Sequence, residues 1–117
     1  MKYLLLIACL LVSQSALAES LAGYDVDRLA NSIYKAEGGT KTKHPYGILA
    51  KYKTTTPRQA CINTIRLKYK EWVNLGSYGD FLTYLASRYC PIGAKNDPTG
   101  LNKNWLKNVR YFYNNVR

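Results

Sequence analysis

The chain has 117 residues and carries seventeen Lys and Arg against seven Asp and Glu, a net charge of +10 with a single histidine. That length suits one domain, and so positive a balance draws polyanions such as envelope polymers or nucleic acid. One histidine, three cysteines and scattered acids leave no ordinary ligand set for a metal, no phosphate-cradling glycine motif is present, and nothing calls for a cofactor.

Taken in order, the chain opens with Met1-Lys2, runs through the apolar stretch Tyr3 to Val12, and reaches Ala16-Leu17-Ala18. A positive start, an apolar segment too short to span a bilayer and an Ala-x-Ala ending predict a secretory signal peptide over residues 1–18. Leu6-Ile7-Ala8-Cys9 offers lipidation of Cys9 as an alternative. The remaining domain, residues 19–117, is then exported, to the periplasm or beyond, and contains no further stretch apolar enough to anchor it. Export favours glycan polymers over nucleic acid as the anionic partner, and nothing suggests more than a monomer. Cys61 and Cys90 remain as an even pair in an exported protein, so a disulfide between them is expected. Closing that loop would remove about 3 to 4 kcal/mol of denatured-state entropy. The competing use, a catalytic thiol, would have to recruit His44 as its base.

Asp25 is a good N-cap for a first helix whose apolar residues Val26, Leu29, Ala30 and Ile33 recur at i, i+3, i+4 and i+7. Glu37 extends that stripe by one turn, and Gly38-Gly39 stops the helix. From Thr40 to Thr56 the helical period is lost. The segment holds Lys41, Lys43, His44, Lys51 and Lys53 and no acid, with a turn at Pro45-Tyr46-Gly47 and one or two short strands expected over Tyr46 to Tyr52. Thr56-Pro57-Arg58-Gln59 signals a second helix start. Its stripe is Cys61, Ile62, Ile65, Tyr69, Trp72 and Val73, closed by Leu75-Gly76. Asp80 caps a third helix with Phe81, Leu82, Leu85 and Tyr89 on one face, ended by Pro91. After a turn-rich loop over Gly93 to Gly100, Asn102 can cap a last helix with Trp105, Leu106, Val109, Phe112 and Tyr113 as its stripe and Leu101 as a staple on Leu106.

Glu37 stands out because it points the way the core points. Burial disfavours the charged form of a carboxylic acid, and a Glu kept protonated near neutrality can donate a proton to a leaving oxygen. The other acids have plainer uses: Asp25 and Asp80 as caps, Asp97 as a turn former before Pro98, and Glu71 in a surface ion pair. Glycoside cleavage commonly employs two carboxylates, yet an N-acetylated sugar can supply its own acetamido oxygen in place of the second. Several of the eleven tyrosines sit in helical stripes, and most are read as packing. Trp105 is read as core, with a place on the wall of a site as the alternative.

The helix ending Ala36-Glu37-Gly38-Gly39, the segment Tyr46-Gly47-Ile48-Leu49 and the run Ala86-Ser87-Arg88-Tyr89-Cys90-Pro91 follow the order seen in the lysozyme-like superfamily. The chain resembles a small member of its soluble lytic transglycosylases over about residues 25 to 115. That resemblance implies a mainly α, lysozyme-like single domain with a short irregular or β-hairpin segment after the catalytic helix. It implies Glu37 as the catalytic acid, with Tyr89 brought towards it. The sequence departs from the family pattern at Gly38, where Ser is frequent, at Ala50, where Gln is usual, and at Cys90-Pro91, which replaces Asn-Ala.

The expectation is cleavage of the β-1,4 bond between N-acetylmuramic acid and N-acetylglucosamine in peptidoglycan glycan strands. Glu37 would act as acid and then base, and Tyr89 and Tyr46 would orient it or the sugar. Lys43, His44, Gly47 and Asn102 would face the glycan. The rivals are a hydrolytic lysozyme, a basic envelope-polymer-binding protein without turnover, and an inhibitor or structural part of a secretion or phage-lysis machine.

Overall fold

Four apolar stripes become four α-helices: α1 (Val26–Ala36), α2 (Pro57–Asn74), α3 (Phe81–Tyr89) and α4 (Lys103–Asn115). The structure, a computed structural model, describes residues 18–48, 54–94, 100 and 102–115. Among them no helix is long and apolar enough to cross a membrane. The expected signal peptide up to Leu17, Leu49 to Lys53, Asp97 and Leu101 lie outside the described residues.

Three helix starts form as their cap residues require. Asp25 accepts from the Arg28 amide at 2.8 Å, Thr56 from the Gln59 amide at 3.1 Å and Asp80 from the Thr83 amide at 3.3 Å. Each removes one orphan donor from a first turn. The Gln59 side chain donates to Asn63 one turn on, at 2.9 Å.

Two short strands precede α1. β1 (Ser20–Leu21) and β2 (Tyr24–Asp25) pair antiparallel, with Ser20 opposite Asp25 and Leu21 opposite Tyr24. Ala22 and Gly23, at φ 55° and 83°, supply the two left-handed positions that such a tight hairpin needs. This hairpin precedes α1, and the strands expected over Tyr46 to Tyr52 fall largely on Leu49 to Lys53, outside the described residues. After α1 come two 3-10 turns, Gly39–Lys41 and Pro45–Gly47, and Tyr46 is part of the second, not of a strand.

The core lies where the stripes meet. Leu29, Ala30 and Ile33 of α1, Cys61 and Ile65 of α2, Leu82 and Leu85 of α3 and Val109 of α4 are fully buried. Helix α1 packs most extensively on α4, and α2 on α3. Fully burying a Leu or Ile is worth about 1.5–3 kcal/mol, whereas an exposed ion pair gives at most about 1. The orientation of α1 is thus set by its apolar face. The exposed pairs Arg66–Glu19 at 2.7 Å and Arg58–Asp27 at 3.3 Å contribute little to it. Glu71 has the expected surface partner, Lys68 at 3.1 Å, and also accepts from the Tyr84 hydroxyl at 3.1 Å.

The expected disulfide between Cys61 and Cys90 is not formed in this structure. Cys61 faces inward from α2 and hydrogen-bonds the Tyr89 hydroxyl, and burial pushes its thiol up to about 11. Cys90, the next residue, forms the C-cap of α3.

Candidate active site

The last turn of α1 fixes where Glu37 stands. Its amide donates to the Ile33 carbonyl at 2.9 Å, closing the helix, and Gly38 then takes φ 106°, which a residue with a Cβ adopts only at a cost. The backbone leaves the helix while the Glu37 side chain stays half-buried on the inner side. Its Oε1 accepts a hydrogen bond from the indole Nε1 of Trp105 at 2.6 Å. Burial raises the Glu37 carboxyl above its ordinary 4.5, and the indole bond, which favours the anion, opposes that shift without cancelling it.

Gly47 covers the carboxyl from the loop side. A Cβ built there would lie 3.1 Å from Glu37 Cδ, 3.2 Å from Oε2 and 3.3 Å from Oε1, and φ is +69°. Glycine answers both demands at once, the left-handed backbone and the close approach. The preceding residue, Tyr46, is also left-handed at φ 61°, a rare conformation for a bulky side chain. Several contacts hold it there. Its carbonyl accepts from the Tyr89 hydroxyl, its own hydroxyl accepts from Arg58 Nη1 at 3.2 Å, and its ring lies 5.0 Å from that of Tyr34. Arg58 is held in turn by Asn31 at 2.7 Å.

Tyr89 joins the two sides. Its ring stacks on Trp105, with centroids 5.1 Å apart and planes at 26°, while its hydroxyl reaches Tyr46 and Cys61. Burial, reinforced by Cys61, keeps that phenol neutral far above its ordinary range. Glu37, Trp105, Tyr89 and the Tyr46-Gly47 turn are therefore one connected unit, built from α1, α4, α3 and the loop after α1.

This unit borders an open cleft of about 290 Å³. Thr42, His44 and Gly47 line it from the segment after α1, and Tyr89, Cys90, Pro91 and Asn102 from the end of α3 and the approach to α4. The Asn102 amide donates to the Pro91 carbonyl at 2.8 Å, tying those last two segments together. Past Cys90, Pro91 and Asn102 the surface continues into an apolar groove of about 350 Å³ over Ala86, Ile92 and Leu106. A third cavity of about 300 Å³, lined by Arg28, Ser32, Lys35 and Phe112 among others, has no carboxylate. Among the described residues Glu37 is the only acid on the cleft wall, and no three His, Cys, Asp or Glu side chains are grouped to hold a metal.

Of the residues singled out in the sequence, the structure brings Glu37, His44, Gly47, Tyr89 and Asn102 to this cleft. Lys43 is exposed outside its lining, and Tyr46 is 9% exposed, acting through its backbone and ring as a support beneath Gly47. The residue sequence reasoning undervalued is Trp105. It is core, at 5% exposed, and it also touches the acid. The available signal was chemical: a buried indole N–H needs an acceptor, and the short inventory of acids left few candidates.

Comparison with family models, curated proteins and solved structures finds no match for the chain.

Proposed function

We propose that the protein is an exported peptidoglycan glycosidase of the lytic transglycosylase type, built on a lysozyme-like plan, with Glu37 as its single acid and base. The observation that carries the reading is a carboxyl held towards its neutral form at the wall of an open cleft, without a second carboxylate beside it among the described residues. A proton from Glu37 goes to the glycosidic oxygen as the bond from the muramyl C1 breaks. The acetamido oxygen of the same sugar supports the developing positive charge at C1, the role a second carboxylate would otherwise fill. Glu37, now an anion, takes the proton of the muramyl 6-hydroxyl as that oxygen bonds to C1, giving an anhydro end. The net charge of +10 favours encounter with anionic wall polymers.

The test is digestion of purified peptidoglycan followed by mass analysis of the muropeptides. Anhydro products support the transglycosylase. Products heavier by one water throughout assign hydrolysis, and Glu37 keeps its role as acid. Glu37→Gln should cut turnover by about 10²- to 10⁴-fold while salt-sensitive binding to the polymer persists. A wild-type protein that binds and releases nothing is a cationic adhesive domain.

A further inference from the structure

A neutral carboxylic acid has one oxygen that carries the proton and one that only accepts, and an N–H group pairs with the accepting one. The indole of Trp105 is a donor and nothing else, and it lies 2.6 Å from Oε1 of Glu37. Its ring is 5% exposed and stacked on Tyr89, so packing keeps the N–H aimed at that oxygen. Oε2 accepts no hydrogen bond among the described residues, and Gly47 leaves room beside it that a Cβ, 3.2 Å from that oxygen, would fill.

We propose that Trp105 is the positioning residue of this site: its indole N–H holds Oε1, so the proton that Glu37 transfers is carried on Oε2. The use of that proton rests on the glycosidase reading; its location does not. The same bond favours the state left after transfer. Once Glu37 is an anion, the indole bond becomes charge-assisted and stronger. Burial pulls towards the neutral acid and Trp105 towards the anion, so one side chain can serve both halves of the reaction. The titratable groups around Glu37 are Cys61 from α2, Tyr89 and Cys90 from the end of α3, and His44 from the loop. Burial keeps the Cys61 thiol and the Tyr89 hydroxyl neutral through the working range.

The chain has two tryptophans, and Trp72 donates to the Tyr78 carbonyl at 3.1 Å, so its indole resonance is an internal reference. In the full mature protein labelled with nitrogen-15, the Trp105 indole N–H is assigned by its survival in Trp72→Phe and then followed with pH. The expected result is a titration of that resonance with the same midpoint as the Glu37 carboxyl carbon, abolished in Glu37→Gln. Trp105→Phe keeps a ring against Tyr89 and removes the donor. Its pH–rate profile should show the alkaline limb moved up by about one pH unit, with kcat reduced more than KM changes. An indole N–H insensitive to pH, or an unmoved limb in a folded Trp105→Phe, overturns the proposal. Should that variant fail to fold, the indole titration decides alone. A wild type that cleaves no glycan removes the glycosidase reading and leaves the indole titration to decide where the proton sits.

Discussion

Gly47 passes so close to Glu37 that a single added methyl group would meet the carboxyl at 3.1 to 3.3 Å, at a backbone φ of +69°. Gly47→Ala therefore combines backbone strain with displacement of the acid. We expect a loss of about 1 kcal/mol or more in unfolding free energy, and a fall in peptidoglycan-clearing rate of about tenfold or more, since sub-ångström misplacement of reacting groups is costly. Thermal unfolding and a dye-release assay on the same preparation measure the two effects. A variant as active as wild type would show that Gly47 does not constrain the carboxyl.

The raised Glu37 carboxyl makes stability depend on pH with a definite sign. Its folded-state value lies above the unfolded 4.5, because burial penalises the charge. The stabilising contribution is complete below 4.5 and is lost as pH rises through the folded value. Glu37→Gln, which stays neutral, should match wild type in strongly acidic buffer and exceed it in melting temperature at neutral pH. A difference that is flat with pH would contradict a desolvated carboxyl.

Tyr89→Phe removes the hydroxyl that bonds the Tyr46 carbonyl and Cys61. Leaving a buried carbonyl without its donor costs about 1–3 kcal/mol, and Tyr46 loses one of the contacts that hold its left-handed backbone. The expected outcome is a lower melting temperature together with reduced activity, because the turn that carries Gly47 relaxes. Retention of the Trp105 stack can be checked by near-ultraviolet circular dichroism.

Asp80 carries the opposite pH dependence to Glu37. Burial works to raise its carboxyl, but hydrogen bonds from Tyr24, the Thr83 amide and Arg110, at 2.7, 3.3 and 3.1 Å, outweigh it and hold the value below 3.8. Its stabilising contribution is present above 3.8 and fades as pH falls through the folded value. Asp80→Ala should cost about 1–2 kcal/mol near neutrality through loss of the cap. Denaturant titrations at neutral and strongly acidic pH should show that penalty shrinking in acid.

Cys61 should resist alkylation in the native protein at neutral pH. It is fully buried, and its thiol is held up at about 11. Rapid labelling without denaturant, read by mass spectrometry of the peptides, would mean that α2 opens readily beside the site.

Local physics was legible in the residues themselves. Cap residues Asp25, Thr56 and Asp80 act on amides three positions away, and apolar repeats of three and four draw one face of each helix inward, so four helices and the inward direction of Glu37 follow from short stretches of chain. The Ser20–Asp25 hairpin went unread because two-residue strands carry too little pattern. The site's partners are another matter. Glu37 and the Trp105 indole are 68 residues apart, and Tyr89 and the Tyr46 carbonyl 43 apart. Which donor meets which acceptor across such separations depends on how α1 packs on α4 and α3, and on a Tyr46 backbone that only tertiary contacts make tolerable. The sequence by itself determined an acid facing inward at a helix end. Tertiary packing alone decided that an indole, a glycine and a tyrosine would enclose it, because burial is a property of a side chain's pattern whereas pairing is a property of the assembled core.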